Sequence, residues 1–111
     1  MQEHKYHEVA DATILAIEEA IEALVESSGI DIEFESGGEI LELEFTNRSK
    51  IIINKQPPLM QLWVATKYNG YHFEYRDGLW IDNRSGVELW ALLSEAASKQ
   101  AGVAIQLQSA E

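Results

Sequence analysis

The sequence contains no cysteine. That single absence excludes a disulfide framework, a thiolate metal site and a cysteine nucleophile. No apolar run approaches the roughly 18 residues that a membrane-spanning helix needs. The opening stretch MQEHKYHEVAD has neither the basic start nor the apolar core of a signal peptide, so a cytoplasmic location is expected. No nucleophile elbow, glycine-rich phosphate loop or zinc-spaced cluster is present. Carboxylates are plentiful, yet a glycosidase needs two of them at a fixed gap across a cleft. Here they follow an open ridge, and an enzyme is not expected.

Positive charge is scarce where negative charge is dense. Residues 1–44 hold 13 acids and one base, Lys5, a balance of −12, whereas residues 45–111 hold seven bases and six acids, a balance of +1. Binding to nucleic-acid phosphate needs the opposite sign, so neither a nucleic-acid nor a membrane partner is expected. Metal cations or a basic protein surface are the natural complements. A plain solubilising surface is the alternative. With 111 residues, 46% hydrophobic and 24% charged, the chain is expected to form a single globular domain over 1–111.

Helical spacing of Tyr6, Ala10, Thr13, Ile14, Ile17, Ile21 and Leu24 predicts a helix over 4–26, ended by Ser27-Ser28-Gly29. Glu8, Asp11, Glu18, Glu19, Glu22 and Glu26 fall in a separate arc, with Leu15 unexplained in its middle. Strict alternation in Ile30–Glu35 and again in Ile40–Phe45 predicts half-buried strands with every acid outward. The run Ile51-Ile52-Ile53 and the segment Gln61–Ala65 read as strands separated by Pro57-Pro58, since proline cannot donate to a ladder. Ile51, Ile53 and Lys55 share one face, as do Leu62 and Val64, which leaves Asn54, Gln61 and Trp63 on the other. Tyr71–Arg76, an Asp77-Gly78 hairpin signal and Leu79–Ile81 supply the last strands, with His72 facing solvent. A second helix is expected over 86–100, with Ser85 as N-cap and Glu88 completing a capping box. Val103–Leu107 either packs or adds an edge strand. The order predicts an α+β two-layer sandwich, two helices on one face of a mostly antiparallel six-strand sheet.

Three groups of residues carry functional expectations. Glu18, Glu22 and Glu26 form a like-charge ladder at i,i+4 spacing, each pair costing about 0.2–0.5 kcal/mol. A helix built only for stability would alternate signs, so counterions or a basic partner are expected there. Hard carboxylate oxygens suit iron, manganese, calcium and magnesium, bound weakly without a cage. His4, His7 and Asp11, at i, i+3 and i+7, could form a first-row metal site; a fraying first turn is the alternative. Trp63, with Asn54 and Gln61, is expected to be solvent-exposed on the helix-free face, where an aromatic among amides has the composition of an interface hot spot.

The segments SKIIINKQPPLMQLWVATK, YHFEY and GLWIDNRSGVELWALLSEAA resemble the bacterial frataxin family over roughly His4 to Gly102. The resemblance implies the same two-layer fold. It also implies weak binding of ferrous and ferric iron along a ridge that maps onto Asp11, Glu18, Glu19, Glu22, Glu26, Asp31 and Glu33. The implied partners are cysteine desulfurase, met through Glu18, Glu19 and Glu22, and the iron–sulfur scaffold protein, met through Asn54, Gln61 and Trp63. The implied role is to supply iron to cluster assembly or to regulate it, as a monomer whose association under iron is left open. The family's first helix ends more acidic than the Ala23, Val25, Ser27 and Gly29 found here, which bears on metal stoichiometry and affinity. Two other readings stand beside this one: an interaction module with incidental metal binding, and an acidic mimic of nucleic acid.

Overall fold

The computed structural model describes residues 1–109. The first helix, α1, spans Glu3–Ser28 and buries Tyr6, Ala10, Ile17 and Ile21 of the apolar stripe. It stops at Gly29, whose φ of 76° is left-handed and whose N–H reaches the Val25 carbonyl at 3.0 Å. Glycine adopts that conformation without a Cβ clash. Six strands follow: β1 Ile32–Gly37, β2 Ile40–Phe45, β3 Lys50–Gln56, β4 Gln61–Ala65, β5 Gly70–Arg76 and β6 Leu79–Asp82. Short links allow only antiparallel neighbours, and the strands pair in chain order from β1 to β6. Asp77 and Gly78 both have positive φ, 51° and 84°, as a type I′ hairpin turn requires. The second helix, α2, spans Leu89–Ala101.

The register decides which face is core. Leu41, Ile53 and Val64 lie side by side across β2, β3 and β4, all essentially inaccessible to solvent. They meet Ile17 and Ile21 of α1 and Leu89, Leu92 and Leu93 of α2 in one cluster. Each such side chain contributes about 1.5–3 kcal/mol by leaving water. The fold is therefore the α+β two-layer sandwich expected from the pattern, with both helices on one face. The opposite face carries the row Ile40, Asn54, Trp63 and His72 across β2 to β5.

Two details differ from the sequence expectation. β1 begins at Ile32 rather than Ile30 and runs to Gly37, because pairing with β2 extends from Ile32 opposite Phe45 to Gly37 opposite Ile40. α2 begins at Leu89, and Glu88 rather than Ser85 caps it, accepting from the N–H groups of Trp90 and Ala91. Ser85 is taken by buried Asp82, to which it donates both its N–H and its hydroxyl at 2.8 Å. Of the two readings left open for the Val103–Leu107 tail, packing is the one found. Ser94 accepts from Leu107 N–H, Ser98 accepts from Ile105 N–H, and Ile105 and Leu107 are buried.

At the end of α2, Gln100 joins separate parts of the sheet. Its side-chain oxygen accepts from Lys67 N–H, its side-chain nitrogen donates to Ser49 Oγ and the Lys50 carbonyl, and its own carbonyl accepts from Asn47. The single-domain expectation for 1–111 also covers Ala110 and Glu111, which lie outside the described residues. No helix among the described residues is long and apolar enough to cross a membrane.

Candidate functional site

The ridge carboxylates divide by what each one faces. Glu18 lines a hollow of about 210 Å³ between α1 and the β1–β2 hairpin, together with Asp11, Leu15, Glu39 and Lys55. Glu19, one residue on, lines the other flank of α1, beside Ala16, Ala20 and Gln106; successive helical residues are about 100° apart. Glu22 and Glu26 are exposed further along α1, and Asp31 is exposed just before β1. Glu33 lies on the helix-free face, directly opposite Glu44. Among the described residues, none of Glu18, Glu19, Glu22, Glu26, Asp31 and Glu33 has an ion-pair or side-chain hydrogen-bond partner. Leu15, 54% exposed, interrupts the row between Asp11 and Glu18, and nothing in the packing explains it.

Asp11 is different. Its carboxylate accepts from Lys55 Nζ at 2.6 Å. His7 packs edge-on against Tyr6 and lies 3.9 Å from Glu3 through Nε2, while His4 is exposed. The structure does not bring His4, His7 and Asp11 together. Among the described residues, no three His, Asp or Glu side chains are gathered closely enough to hold a metal ion. Apart from half-buried Glu18, the ridge carboxylates are exposed, and among the described residues none belongs to a cage of three.

A second acidic group lies on the helix-free face. Glu33 faces Glu44 and Glu35 faces Glu42 across β1 and β2, and like charges directly opposite destabilise a sheet. Two bases offset half of this: Lys50 lies 3.1 Å from Glu42, and Arg48 lies 3.4 Å from Glu44. The hydrogen bond to Glu42, then its charge, with Glu44 and Glu35 adding, raises the Lys50 ammonium above its ordinary pKa.

The helix-free face also holds the aromatic site. Trp63 is half-buried rather than fully exposed, because His72 of β5 stacks on it at 4.1 Å with planes 8° apart. Its indole N–H donates to Gln61 Oε1 at 2.8 Å, and Gln61 Nε2 donates to Glu74 at 3.0 Å. Gln61, expected as a surface contact, is only 8% exposed and holds Trp63 through that hydrogen bond. The hydrogen bond from Arg76 at 2.6 Å, followed by those of Asn83 and Gln61, holds Glu74 below the usual carboxylate pKa. Ile52, Asn54, Trp63, Ala65 and His72 line a shallow depression of about 240 Å³. His72 and the exposed Ile40 belong to this surface. Alternation placed His72 outward, but only the β4–β5 register puts it on Trp63.

Comparison with known proteins agrees with this fold. A family model described as the frataxin-like domain matches residues 1–103. The chain is 55% identical over 105 residues, 95% of this chain and 94% of the relative, to the iron-sulfur cluster assembly protein CyaY of Pseudoalteromonas atlantica. It superposes on a frataxin from Psychromonas ingrahamii with a TM-score of 0.86 at 40% identity, covering 98% of this chain and 100% of that one. A trimeric frataxin from the yeast Saccharomyces cerevisiae, complexed with ferrous iron, matches with a TM-score of 0.73 at 28% identity, over 84% of this chain and 85% of that one. The fold, the family model and the close relatives agree: this chain belongs to the frataxin-like family.

Proposed function

We propose that the protein serves iron–sulfur cluster assembly, as a binding protein and not as an enzyme. In this reading ferrous and ferric iron bind weakly to the ridge acids Glu18, Glu19, Glu22, Glu26, Asp31 and Glu33. Cysteine desulfurase docks on the same charge through Glu18, Glu19 and Glu22. The scaffold protein docks on the helix-free face at Asn54 and Trp63, with Gln61 holding the indole in place. The observation that carries the reading is the row of carboxylates on α1 and β1 that no basic side chain among the described residues neutralises. Like-charge i,i+4 pairs cost a helix stability, and a cation or a basic partner would relieve that repulsion. The relatives' role in cluster assembly and the ferrous iron bound by the yeast protein supply the chemistry.

A reconstituted cluster-assembly reaction containing desulfurase and scaffold, with and without this protein and added ferrous iron, tests the reading. An iron-dependent change in the rate of cluster formation supports it, and a rate indifferent to the protein at every iron concentration refutes it. The lack of a preformed three-ligand cluster among the described residues favours one alternative, an interaction module whose acids dock a basic surface with metal binding incidental. That alternative predicts the same desulfurase binding with no dependence on iron.

A further inference from the structure

Lys55 occupies a place that a lysine ordinarily avoids. It follows Ile51 and Ile53 on the helix-covered face of β3, opposite Leu62 of β4, and its side chain is 8% exposed. Its stem runs through the core and delivers the ammonium to Asp11 at 2.6 Å, on a carboxylate that is itself 64% exposed. The first 44 residues supply only Lys5 as a base, and Lys5 pairs with Glu8 at 3.5 Å. The base that reaches the hollow holding Asp11, Glu18 and Glu39 therefore comes from beneath, out of the sheet. A buried ammonium without a partner is strongly disfavoured. The swap of Asp11 from Lys55 to a dissolved cation would strand it.

We propose that Lys55 is the built-in counter-cation of the ridge. Its ammonium holds Asp11 and confines any divalent metal to the stretch from Glu18 to Glu33. Asp11 then serves Lys55 and takes no part in metal binding. The positive charge at one end of the hollow also weakens cation binding beside it, so Lys55 sets the affinity of the ridge. The confinement rests on the metal-binding reading above, whereas the Lys55–Asp11 pairing stands on the distances alone.

The test uses the whole protein, with Mn²⁺ as a paramagnetic probe of amide NMR signals and thermal melting as a second readout. The variants are Asp11→Asn, Lys55→Met, Lys55→Gln and the double change Asp11→Asn with Lys55→Met. Asp11→Asn is expected to lower Tm by about 5 °C, the scale of one lost charge partner in a domain of this size, and to leave Mn²⁺ affinity unchanged. In the Lys55→Met background the same change should leave Tm nearly unmoved, since the ammonium it strands is gone. Lys55→Met and Lys55→Gln should each tighten Mn²⁺ by about threefold, the scale of one nearby unit charge in water, and in the Lys55→Met background Asp11→Asn should then lower that affinity. A loss of Mn²⁺ affinity in Asp11→Asn equal to that in Glu22→Gln, measured beside it as a control, or additive Tm effects at 11 and 55 would each overturn the proposal. A wild type that Mn²⁺ leaves unbroadened throughout the ridge refutes the metal-binding reading and the confinement together, and the melting cycle still decides the pairing.

Discussion

The imidazole of His72 lies flat on the indole of Trp63, ring centroids 4.1 Å apart, while the indole N–H is tied to Gln61 at 2.8 Å. The indole is thereby held in one orientation, which lowers the entropy lost when a partner covers it.

Trp63→Ala should cost about 1–3 kcal/mol of stability, the sum of one aromatic stack and one part-buried hydrogen bond. A Trp sunk in the core would cost about 3–5 kcal/mol. The same change should weaken scaffold binding by about tenfold or more, as hot-spot truncations do. Urea denaturation and scaffold titration of the one variant check both figures.

Glu22→Lys should separate stability from binding. It turns two like-charge i,i+4 neighbours, Glu18 and Glu26, into attractive pairs, each worth about 0.2–0.5 kcal/mol. Tm should rise while affinity for desulfurase falls. Exposed charges are screened over about 8 Å at physiological salt, so the wild-type affinity should drop steeply between low and moderate salt and that of the variant much less. Melts and salt-dependent binding curves measure the two effects.

Tyr6 links α1 to the β3–β4 connection. Its hydroxyl donates to the Gln61 carbonyl at 2.7 Å and accepts from Gln56 N–H at 3.1 Å. Burial pushes its pKa up to about 12, the Gln56 hydrogen bond pulling the other way and Glu39 and Asp11 adding to the rise. The protonated form is the native one, so its stabilisation is complete below the unfolded value near 10 and is lost as pH rises from there to about 12. Tyr6→Phe should be less stable at neutral pH by about 1–3 kcal/mol, having left two buried backbone groups unpaired, and its alkaline limb should be flatter. Denaturation midpoints from pH 8 upward report this.

Asp82 governs the opposite limb. It is 2% exposed, and burial raises its pKa, but donors from Ser85, His72 and Arg84 outweigh that, leaving it below the ordinary value. Its contribution is present above the unfolded pKa and is lost as pH falls through the folded one. Asp82→Ala should cost about 1–3 kcal/mol or more, because the N–H groups of His72 and Ser85 lose their acceptor, and acid unfolding should become less steep.

Much of this was legible in the residues. The alternation in Ile40–Phe45 and the shared face of Ile51, Ile53 and Lys55 follow from the two-residue period of a strand, and both hold. The start of α2 was not legible, since Ser85 and Glu88 are each able to cap a helix and only the buried Asp82 decides between them. Lys55 was readable as inward-facing, but its partner lies 44 residues away in the chain and no local pattern announces it. The burial of Gln61 was hidden for the same reason. Its companions Tyr6 and Glu74 are distant in sequence, and an amide on the helix-free face reads as exposed until the neighbouring strands are in register.

The hydrogen bonds around Gln100 have a consequence for how the molecule opens. One side chain and its carbonyl close off the β2–β3 turn, the start of β3 and the β4–β5 turn. When the last turn of α2 frays, both turns lose an anchor in the same event. That end of the sandwich should therefore breathe as one cooperative unit, with amides near Ser49 and Lys67 reporting the same opening free energy in hydrogen exchange despite their separation along the chain.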